Sequence, residues 1–185
     1  MHPSTDLHLI HGGHKGAEAY FGEIAEKYGV SETTLSFEGH RMERSANVEV
    51  LDDAALDKGR VSMEFVFQTM GRRFASGHGV RRVIHSMFHL VTRTDELFAI
   101  GWIQENGSVK GGTGWGVELA KLFNRRVHVF DQDRGAWFSH DHDEWKQGEP
   151  KLPESGAFSA TGTRHLTEGG RAAIEELFKR SLALR

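Results

Sequence analysis

The sequence predicts an α/β fold in which helices cover both faces of a mostly parallel sheet, within a single domain spanning residues 1–185. Short apolar runs of β type alternate with amphipathic helical patterns, the order expected when helices connect parallel strands. Glycine-rich turns at residues 11–16 and 110–116 each separate a strand pattern from a helix pattern. The chain is also long enough to bury a substantial core.

The first half of the chain is predicted to contain two strands and three helices. Strands are expected at residues 7–10 and 33–37, and Gly29 stands where the helix between them ends. The apolar residues of that helix are Ala17, Tyr20, Phe21, Ile24, Ala25 and Tyr28. Residues 38–59 are polar and weakly patterned, which predicts a loop or a small excursion. Two further helical stripes are Met63, Phe67, Met70 and Phe74, ending near residues 77–79, and then Val80, Val83, Ile84, Met87, Phe88 and Val91.

The second half is predicted to contain three strands and two helices. Strands are expected at residues 97–103, 126–130 and 157–160. The apolar stripes of the helices are Trp115, Leu119, Leu122 and Phe123, and then Ile174, Leu177, Phe178 and Leu182. Residues 139–156 are polar and contain two prolines, which predicts a long surface connection.

Composition narrows the classes of function. Lys and Arg together number 23 against 26 Asp and Glu, a net charge of -3, so no basic excess predicts nucleic-acid binding. Because the chain has no cysteine, disulfides and thiolate metal sites are excluded. No signal peptide is apparent, and no apolar run approaches the ~20 residues that span a bilayer. We therefore expect a cytoplasmic protein with no membrane partner.

Three loops that follow predicted strands are candidate ligand loops: residues 11–16, 110–116 and 160–164. In a parallel sheet all three lie at the same edge, where ligands of such folds bind. A glycine turn before a helix also presents free backbone N–H groups and a helix N-terminus, which suit a phosphate or another anion. The pattern therefore predicts one pocket for a nucleotide-type ligand.

Each loop offers groups that suit a phosphate or a ribose. We expect the backbone N–H groups of residues 12–16 to contact the ligand, with Lys15 as the counter-charge. Thr113 is expected to bind a phosphate or cap its helix, Trp115 to stack a base or lie in the core, and Arg164 to clamp an anion or stay solvated. The predicted ligand-binding residues are His11, Gly12, Gly13, His14, Lys15, Gly16, Gly111, Gly112, Thr113, Gly114, Trp115, Gly162, Thr163 and Arg164. The alternative for the glycine turns is conformational, since glycine tolerates positive φ.

The twelve histidines do not predict a metal site. In residues 140–143, histidine alternates with aspartate at a spacing that is not a recognised site, and no third ligand stands nearby at a suitable spacing. His85 and His89 share one helix face, as solvated or pocket-lining pairs often do. We expect no metal and no cofactor.

With these motifs the chain resembles the SLOG superfamily of Rossmann-like domains, which includes the DNA-processing DprA proteins and the LOG phosphoribohydrolases. The matching segments are residues 12–18, 95–101, 111–118, 127–132 and 162–164. The resemblance is closest to small stand-alone bacterial and phage members. It implies a Rossmann-like three-layer sandwich, a nucleotide-type ligand, and a homodimer or higher homo-oligomer.

The LOG signature P-G-G-x-G-T-x-x-E contains a glutamate that assists cleavage of an N-glycosidic bond, together with a nearby helix arginine. Gly111, Gly112 and Gly114 match its glycines, and Glu118 falls at the glutamate spacing. The resemblance thus makes Glu118 the candidate catalytic residue, as a general acid/base or a ribose contact. The alternative is an ordinary glutamate near a helix N-terminus, where the dipole favours it.

The chain also departs from the LOG signature. Lys110 replaces the proline and Trp115 the threonine, and Ser86 and Met87 stand where an arginine-containing motif is expected. The neighbouring arginines are Arg81, Arg82 and Arg93. These departures weigh against LOG-like hydrolysis.

Three functions follow from these observations. The preferred hypothesis is a protein that sequesters or senses a nucleotide-derived signal, such as ADP-ribose or a cyclic nucleotide. The alternative is an N-glycoside hydrolase acting on nucleoside monophosphates, with Glu118 assisting the chemistry. The third is DprA-like binding of single-stranded DNA, against which the near-neutral charge argues.

Overall fold

The structure, a computed structural model, describes residues 6–72 and 77–182 and has an α/β fold of three layers. The strands are β1 Leu7–His11, β2 Ser31–Phe37, β3 Val48–Leu51, β4 Glu96–Gly101, β5 Arg126–Asp131, β6 Ala136–Asp141, β7 Glu144–Gln147 and β8 Gly156–Gly162. The helices are α1 Ala17–Lys27, α2 Asp53–Asp57, α3 Arg60–Met70, α4 His78–Thr92, α5 Thr113–Leu122 and α6 Glu168–Leu182. The predicted alternation of strands and helices is confirmed.

Six neighbouring strands are parallel, in the order β3-β2-β1-β8-β4-β5, and β6 and β7 extend the sheet as an antiparallel hairpin. The chain passes from β1 through α1 to β2 on one side, and from β4 through α5 to β5 on the other. The direction of the connections therefore reverses between β1 and β4, with β8 between them. Ligands of open α/β sheets bind at such a switch point, beyond the carboxyl ends of the strands.

Two apolar clusters cover the two faces of the sheet. Helices α1 and α6 pack on one face, and α2 to α5 pack on the other. Along β4, Leu97 and Ala99 belong to the cluster of α2 to α5, whereas Phe98 and Ile100 belong to that of α1 and α6. Successive side chains of a strand point to opposite faces, so β4 needs apolar residues throughout, and its whole length is buried.

The structure corrects the expectation for one polar segment and decides between the two expectations for another. Residues 139–156 are not only a surface connection, because they include the end of β6 and all of β7. The side chains of β7 are mostly exposed, so no alternation marks it as a strand. The turn between β6 and β7 uses His142 and Asp143 at φ 46 and 63, without the glycine that usually signals a hairpin. Residues 38–59 form the excursion that was one of the two expectations, and contain β3 and α2.

Two smaller boundaries also differ from expectation, and one predicted residue is not tested. Helix α4 begins at His78, where the sequence predicted a break between helices. Strand β4 ends at Gly101, two residues before the predicted end. Phe74, predicted in the stripe of α3, lies outside the described residues.

Some apolar side chains of the helices face outward. Val61 and Phe65 of α3 are 73% and 55% exposed, and Leu122 of α5 is 44% exposed. The homodimer or higher homo-oligomer stays a prediction, as does the cytoplasmic location. Among the helices of residues 6–72 and 77–182, none has the length and apolar character needed to span a bilayer.

Candidate functional site

The three predicted ligand loops lie together at the carboxyl edge of the sheet, around one cavity of about 730 Å³. We call it the carboxyl-edge cavity. Its lining comes from the first glycine turn and α1 (His14, Glu18), from α4 (Val83, Met87), from the segment after β4 and the second glycine turn (Trp102, Lys110, Gly111, Gly112, Thr113), and from the end of β8 and the loop after it (Thr161, Gly162, Thr163, Arg164, His165). The convergence follows from the switch point, because β1, β8 and β4 are neighbours and end at the same edge.

The first glycine turn is already occupied by an anion of the chain itself. The Glu18 side chain, only 3% exposed, accepts a hydrogen bond at Oε2 from the backbone N–H of Gly12 at 3.0 Å and from that of His14 at 3.2 Å. The Thr161 hydroxyl donates to Oε1 of the same carboxylate at 3.0 Å. The N–H of Gly13 donates instead to Nδ1 of His11 at 3.0 Å. The N–H groups of residues 12–14 therefore have internal acceptors.

An ion pair between His14 and Glu18 completes this arrangement. The Nδ1 atom of His14 lies 2.8 Å from Oε2 of Glu18, and its Nε2 atom lies 2.9 Å from Nε2 of His40. The charge of Glu18 raises the pKa of His14. Burial acts to raise the pKa of Glu18, but the charge and hydrogen bonds of His14, with a smaller effect of His11, lower it to about 2. Burial and the charge of His14 lower the pKa of His40 to about 4. His14 is thus the charged partner, and His40 accepts its second N–H.

His11 does not line the cavity and instead ties the turn to β2 and the following loop. Its side chain is fully buried, and Nε2 donates to Oε2 of Glu32 at 2.8 Å. Arg44 binds both oxygens of Glu32 and donates its backbone N–H to the carbonyl of Gly13 at 3.1 Å. Burial acts to raise the pKa of Glu32, whereas hydrogen bonds from Arg44 and His11 lower it to about 2. Gly13 lies at φ 70, and an added Cβ would stand 2.2 Å from the carbonyl oxygen of Arg44.

The second glycine turn is open toward the cavity. Gly111 lies at φ 71, and a Cβ added at Gly111 or Gly112 would meet no atom of residues 6–72 or 77–182 within 4 Å. Thr113, at the start of α5, is only 6% exposed, and its hydroxyl makes no hydrogen bond to residues 6–72 or 77–182. The two turns look alike in sequence but differ in structure. The first holds a carboxylate of its own helix, whereas the second lines the cavity with Gly111, Gly112 and Thr113.

The third loop packs against the beginning of α1. The carbonyl of Thr163 accepts the N–H of Ala17 at 3.0 Å, and a Cβ at Gly16 would stand 2.4 Å from that carbonyl oxygen. A Cβ at Gly162 would stand 2.5 Å from Cβ of Ala17. Glycine is therefore needed at Gly16 and Gly162 for this close approach, which brings the first and third loops together.

The cavity combines a cationic rim with an apolar wall. Lys110 and Arg164 are exposed, and within the described chain neither pairs with a carboxylate. The Lys110 Nζ atom lies 5.7 Å from the ring centroid of Trp102, which forms the apolar wall with Val83 and Met87. Glu18 is the one carboxylate among the described lining residues, and His14 balances its charge. The remaining charge of the rim is positive, which suits an anion.

Like His11, the glycines of the first turn, Gly12, Gly13 and Gly16, do not line the cavity. Four other predicted site residues also lie outside it. Trp115 is 9% exposed and packs its ring against Phe67 at a centroid distance of 4.1 Å, in the core. Gly114 packs against the carbonyl of Val109, 2.1 Å from the position of an added Cβ. Lys15 is exposed and does not line the cavity. The fourth is Glu118.

Glu118 lines a different cavity of about 390 Å³, between α3, α5 and the β6–β7 hairpin. Its Oε1 atom accepts a hydrogen bond from Nζ of Lys121 at 2.9 Å. The Nζ atom of Lys121 also lies 4.9 Å from the ring centroid of Trp145. Glu118 is thus separated from the glycine loops by its own helix, which presents opposite sides to the two cavities.

The sequence did not single out several residues of the cavity. Glu18 stood inside a matched segment but had no role assigned, and since His14 precedes α1, the helical spacing of ion pairs did not mark the two as partners. No sequence signal marked Trp102 or Met87, because an apolar residue at either position fits a strand or helix pattern equally well. In the described part of the chain no group of three or more His, Asp and Glu side chains is arranged to hold a metal ion.

No protein-family model matches the sequence, and no curated protein matches it. The fold is similar to that of a crystal structure named "Putative molybdenum carrier protein" from Syntrophus aciditrophicus, with a TM-score of 0.55. The similarity covers 97% of this chain and 96% of that chain, at 14% sequence identity. At this identity the likeness shows the fold alone. The protein has a Rossmann-like three-layer α/β fold with a mostly parallel sheet.

Proposed function

We propose that this protein binds a nucleotide or nucleotide-derived ligand, such as ADP-ribose or a cyclic nucleotide, in the carboxyl-edge cavity, and sequesters or senses it. The observation that carries the proposal is a cavity of about 730 Å³ at the switch point of the sheet, with a cationic rim and an apolar wall. That volume falls within the roughly 300–1,000 Å³ of small-molecule sites. Together with the glycine turns, the fold and cavity also support assignment to the SLOG superfamily.

The anionic group of the ligand is placed at the second glycine turn. The first turn has its N–H groups bound to Glu18 and His11, whereas the second has open glycines at the N-terminus of α5. Lys110 and Arg164 add positive charge to the rim, and the hydroxyl of Thr113, which has no hydrogen-bond partner in the described part of the chain, adds a donor. A helix N-terminus with adjacent cations favours a phosphate.

The apolar part of the ligand is placed against Trp102, Met87 and Val83. An indole ring stacks on any nucleobase because every base has a π face. A nucleotide therefore matches both halves of the cavity, whereas a small inorganic oxyanion uses only the cationic half. Molybdate, which the name of the structural neighbour suggests, is for this reason a comparison ligand rather than the preferred one.

Binding is favoured over hydrolysis because the cavity lacks a suitable acid. Glu118, the residue implied by the LOG signature, lies in the other cavity and pairs with Lys121. Glu18 has a pKa of about 2 and accepts four hydrogen bonds, so it is ionised and committed to the turn. Neither carboxylate fits a general acid that protonates a leaving base near neutral pH.

The proposal is tested by incubating the protein with nucleoside monophosphates, cyclic nucleotides, ADP-ribose, phosphate and molybdate, then denaturing it and analysing the released molecules. Intact nucleotide recovered in stoichiometric amount supports binding. Recovery of free base and ribose phosphate contradicts sequestration and supports the N-glycoside hydrolase hypothesis instead. Retention of molybdate alone contradicts a nucleotide ligand.

Matched variants locate the binding site. Lys110→Ala and Arg164→Gln each remove one charge of the rim and are expected to weaken nucleotide binding by roughly tenfold, the effect of one charge-assisted contact. Lys151→Ala and Arg60→Gln remove exposed charges that do not line the cavity and serve as controls. Equal losses in all four variants would show that only the overall charge of the protein matters.

A further inference from the structure

The carboxyl-edge cavity contains two acceptor oxygens side by side, Oε1 of Glu18 and the hydroxyl oxygen of Thr161, which are 3.0 Å apart. The Oε2 atom of Glu18 accepts three hydrogen bonds, from Gly12 N, His14 N and His14 Nδ1. Oε1 accepts one, from Thr161. A carboxylate offers about four lone-pair directions over its two oxygens, so the remaining acceptor capacity lies on Oε1.

The orientation of Thr161 is set by its neighbours. Its Cγ2 methyl points toward Gly116 of α5, 3.6 Å from the position of a Cβ there. Its hydroxyl donates to Glu18 of α1 on the other side and keeps its own lone pairs as acceptors. Thr161 is 2% exposed and Glu18 is 3% exposed, and both line the cavity, so their mutual hydrogen bond and the surrounding packing hold the two oxygens in place.

These acceptors suit neutral donors rather than a cation. His14 neutralises the charge of Glu18, and Lys110 and Arg164 leave the cavity with excess positive charge. A ligand amine would be repelled by that charge, whereas a hydroxyl would not. Two acceptors 3.0 Å apart match the spacing of the two oxygens in a vicinal diol.

We infer that Glu18 and Thr161 form a subsite for the cis-diol of a ribose, so that the ligand is a ribonucleotide or an ADP-ribose-type molecule rather than a deoxynucleotide. This inference rests on the proposed function. One ribose hydroxyl donates to Oε1 of Glu18 and the other to the hydroxyl oxygen of Thr161. Because a site built around a ligand hydroxyl leaves buried acceptors unpaired when that hydroxyl is missing, deoxy analogues bind more weakly.

The experiment compares each ribonucleoside 5′-monophosphate with its 2′-deoxy, 3′-deoxy and arabino analogues by titration calorimetry on the wild-type protein. Loss of either hydroxyl is expected to weaken binding by roughly tenfold or more, the effect of one hydrogen bond to a charged or buried group. The arabino analogue keeps both hydroxyls but places one on the opposite ring face, so it should bind like the 2′-deoxy compound. Equal affinities for ribo and deoxy forms overturn the inference and leave the proposed function standing. Absence of binding in both series, together with no binding of ADP-ribose or of a cyclic nucleotide in the same titration, overturns the proposed function itself.

Three variants assign the discrimination to these residues. Glu18→Gln keeps the shape but puts a donor amide in place of Oε1, and Thr161→Val removes the hydroxyl. Both substitutions should bring the ratio of the affinities for the ribo and deoxy nucleotides toward one. Thr161→Ser keeps the hydroxyl and should therefore preserve the wild-type ratio. If the affinity ratio stays at its wild-type value in Glu18→Gln and Thr161→Val, other residues bind the ribose hydroxyls, and the inference is overturned. If a variant does not fold, the wild-type comparison with the arabino analogue decides the question.

Discussion

The carboxylate of Glu18 accepts the backbone N–H of Gly12 at 3.0 Å, within the same turn that the sequence predicted to hold a phosphate. The helix α1 therefore supplies its own anion to the glycine turn before it. This contact has two consequences. It stabilises a turn whose N–H groups would otherwise be buried without acceptors, and under the proposed function it leaves the second turn as the place for the anionic group of the ligand.

Glu18→Ala is expected to lower the free energy of unfolding by roughly 3 kcal/mol or more, because it leaves buried N–H donors and the charged His14 without an acceptor. Urea denaturation monitored by circular dichroism measures the change. Glu23→Ala, an exposed position on the same helix, is the control and should change stability by no more than about 0.5 kcal/mol. Similar small effects of both substitutions would contradict the structural role of Glu18.

Stability is expected to fall as the solution becomes acidic. The pKa of Glu18 and of Glu32 is lowered from 4.5 to about 2, so their contribution is present above pH 4.5 and is lost as the pH falls toward 2. The pKa of His40 is lowered from 6.5 to about 4, so the unfolded state binds its proton first, and stability already declines between pH 6.5 and 4. His14, whose pKa is raised, contributes in the opposite sense, with stability present below pH 6.5 and lost at higher pH.

Urea midpoints measured between pH 8 and pH 3 check this profile. His40→Gln should reduce the decline between pH 6.5 and 4 and leave the part at lower pH, whereas His8, His85 and His140, whose pKa values burial also lowers, still contribute to the first part. If the urea midpoint of the wild-type protein declines only below pH 4.5, the burial of His40 does not lower stability between pH 6.5 and 4.

Gly112 and Gly114 of the second turn are expected to differ in how much stability they lose on substitution by alanine. Gly114→Ala would place a Cβ 2.1 Å from the carbonyl oxygen of Val109, so the backbone must move, at a cost of roughly 1–3 kcal/mol or more. Gly112→Ala would place its Cβ in open space at φ -62, so stability should change little. Because Gly112 lines the cavity, the added methyl should nevertheless weaken nucleotide binding. Thermal unfolding and titration calorimetry measure the two effects, and a loss of stability in Gly112→Ala would count against the open turn.

Glu118→Gln is expected to leave nucleotide binding unchanged, because this side chain lies in the other cavity and pairs with Lys121. Under the hydrolase hypothesis the same variant would abolish turnover. Glu18→Gln is the matched comparison, because it changes the carboxylate that does line the cavity. A strong effect of Glu118→Gln on binding, with none of Glu18→Gln, would reverse the assignment of the two glutamates.

Local patterns were sufficient for most of the fold. The apolar stripes of α1, α4 and α6 and the buried run of β4 depend only on spacing along the chain, which helical and strand periodicity translate directly into burial. The edge hairpin β6–β7 was missed because its second strand is mostly solvated and carries polar residues on both faces.

By itself, the amino-acid sequence determined the alternation of strands and helices and the position of three loops at one edge of the sheet. Parallel strands joined by helices must end at the same edge, so local order along the chain was enough. Only the tertiary structure decided which groups face the ligand. Whether the amides of Gly12 and His14 are free depends on the side-chain conformation of Glu18, and whether Glu118 enters the cavity depends on how α5 is rotated against α3 and the sheet. Both are set by packing between elements that are distant in sequence. The spacing of residues within one helix or strand carries no information about that packing.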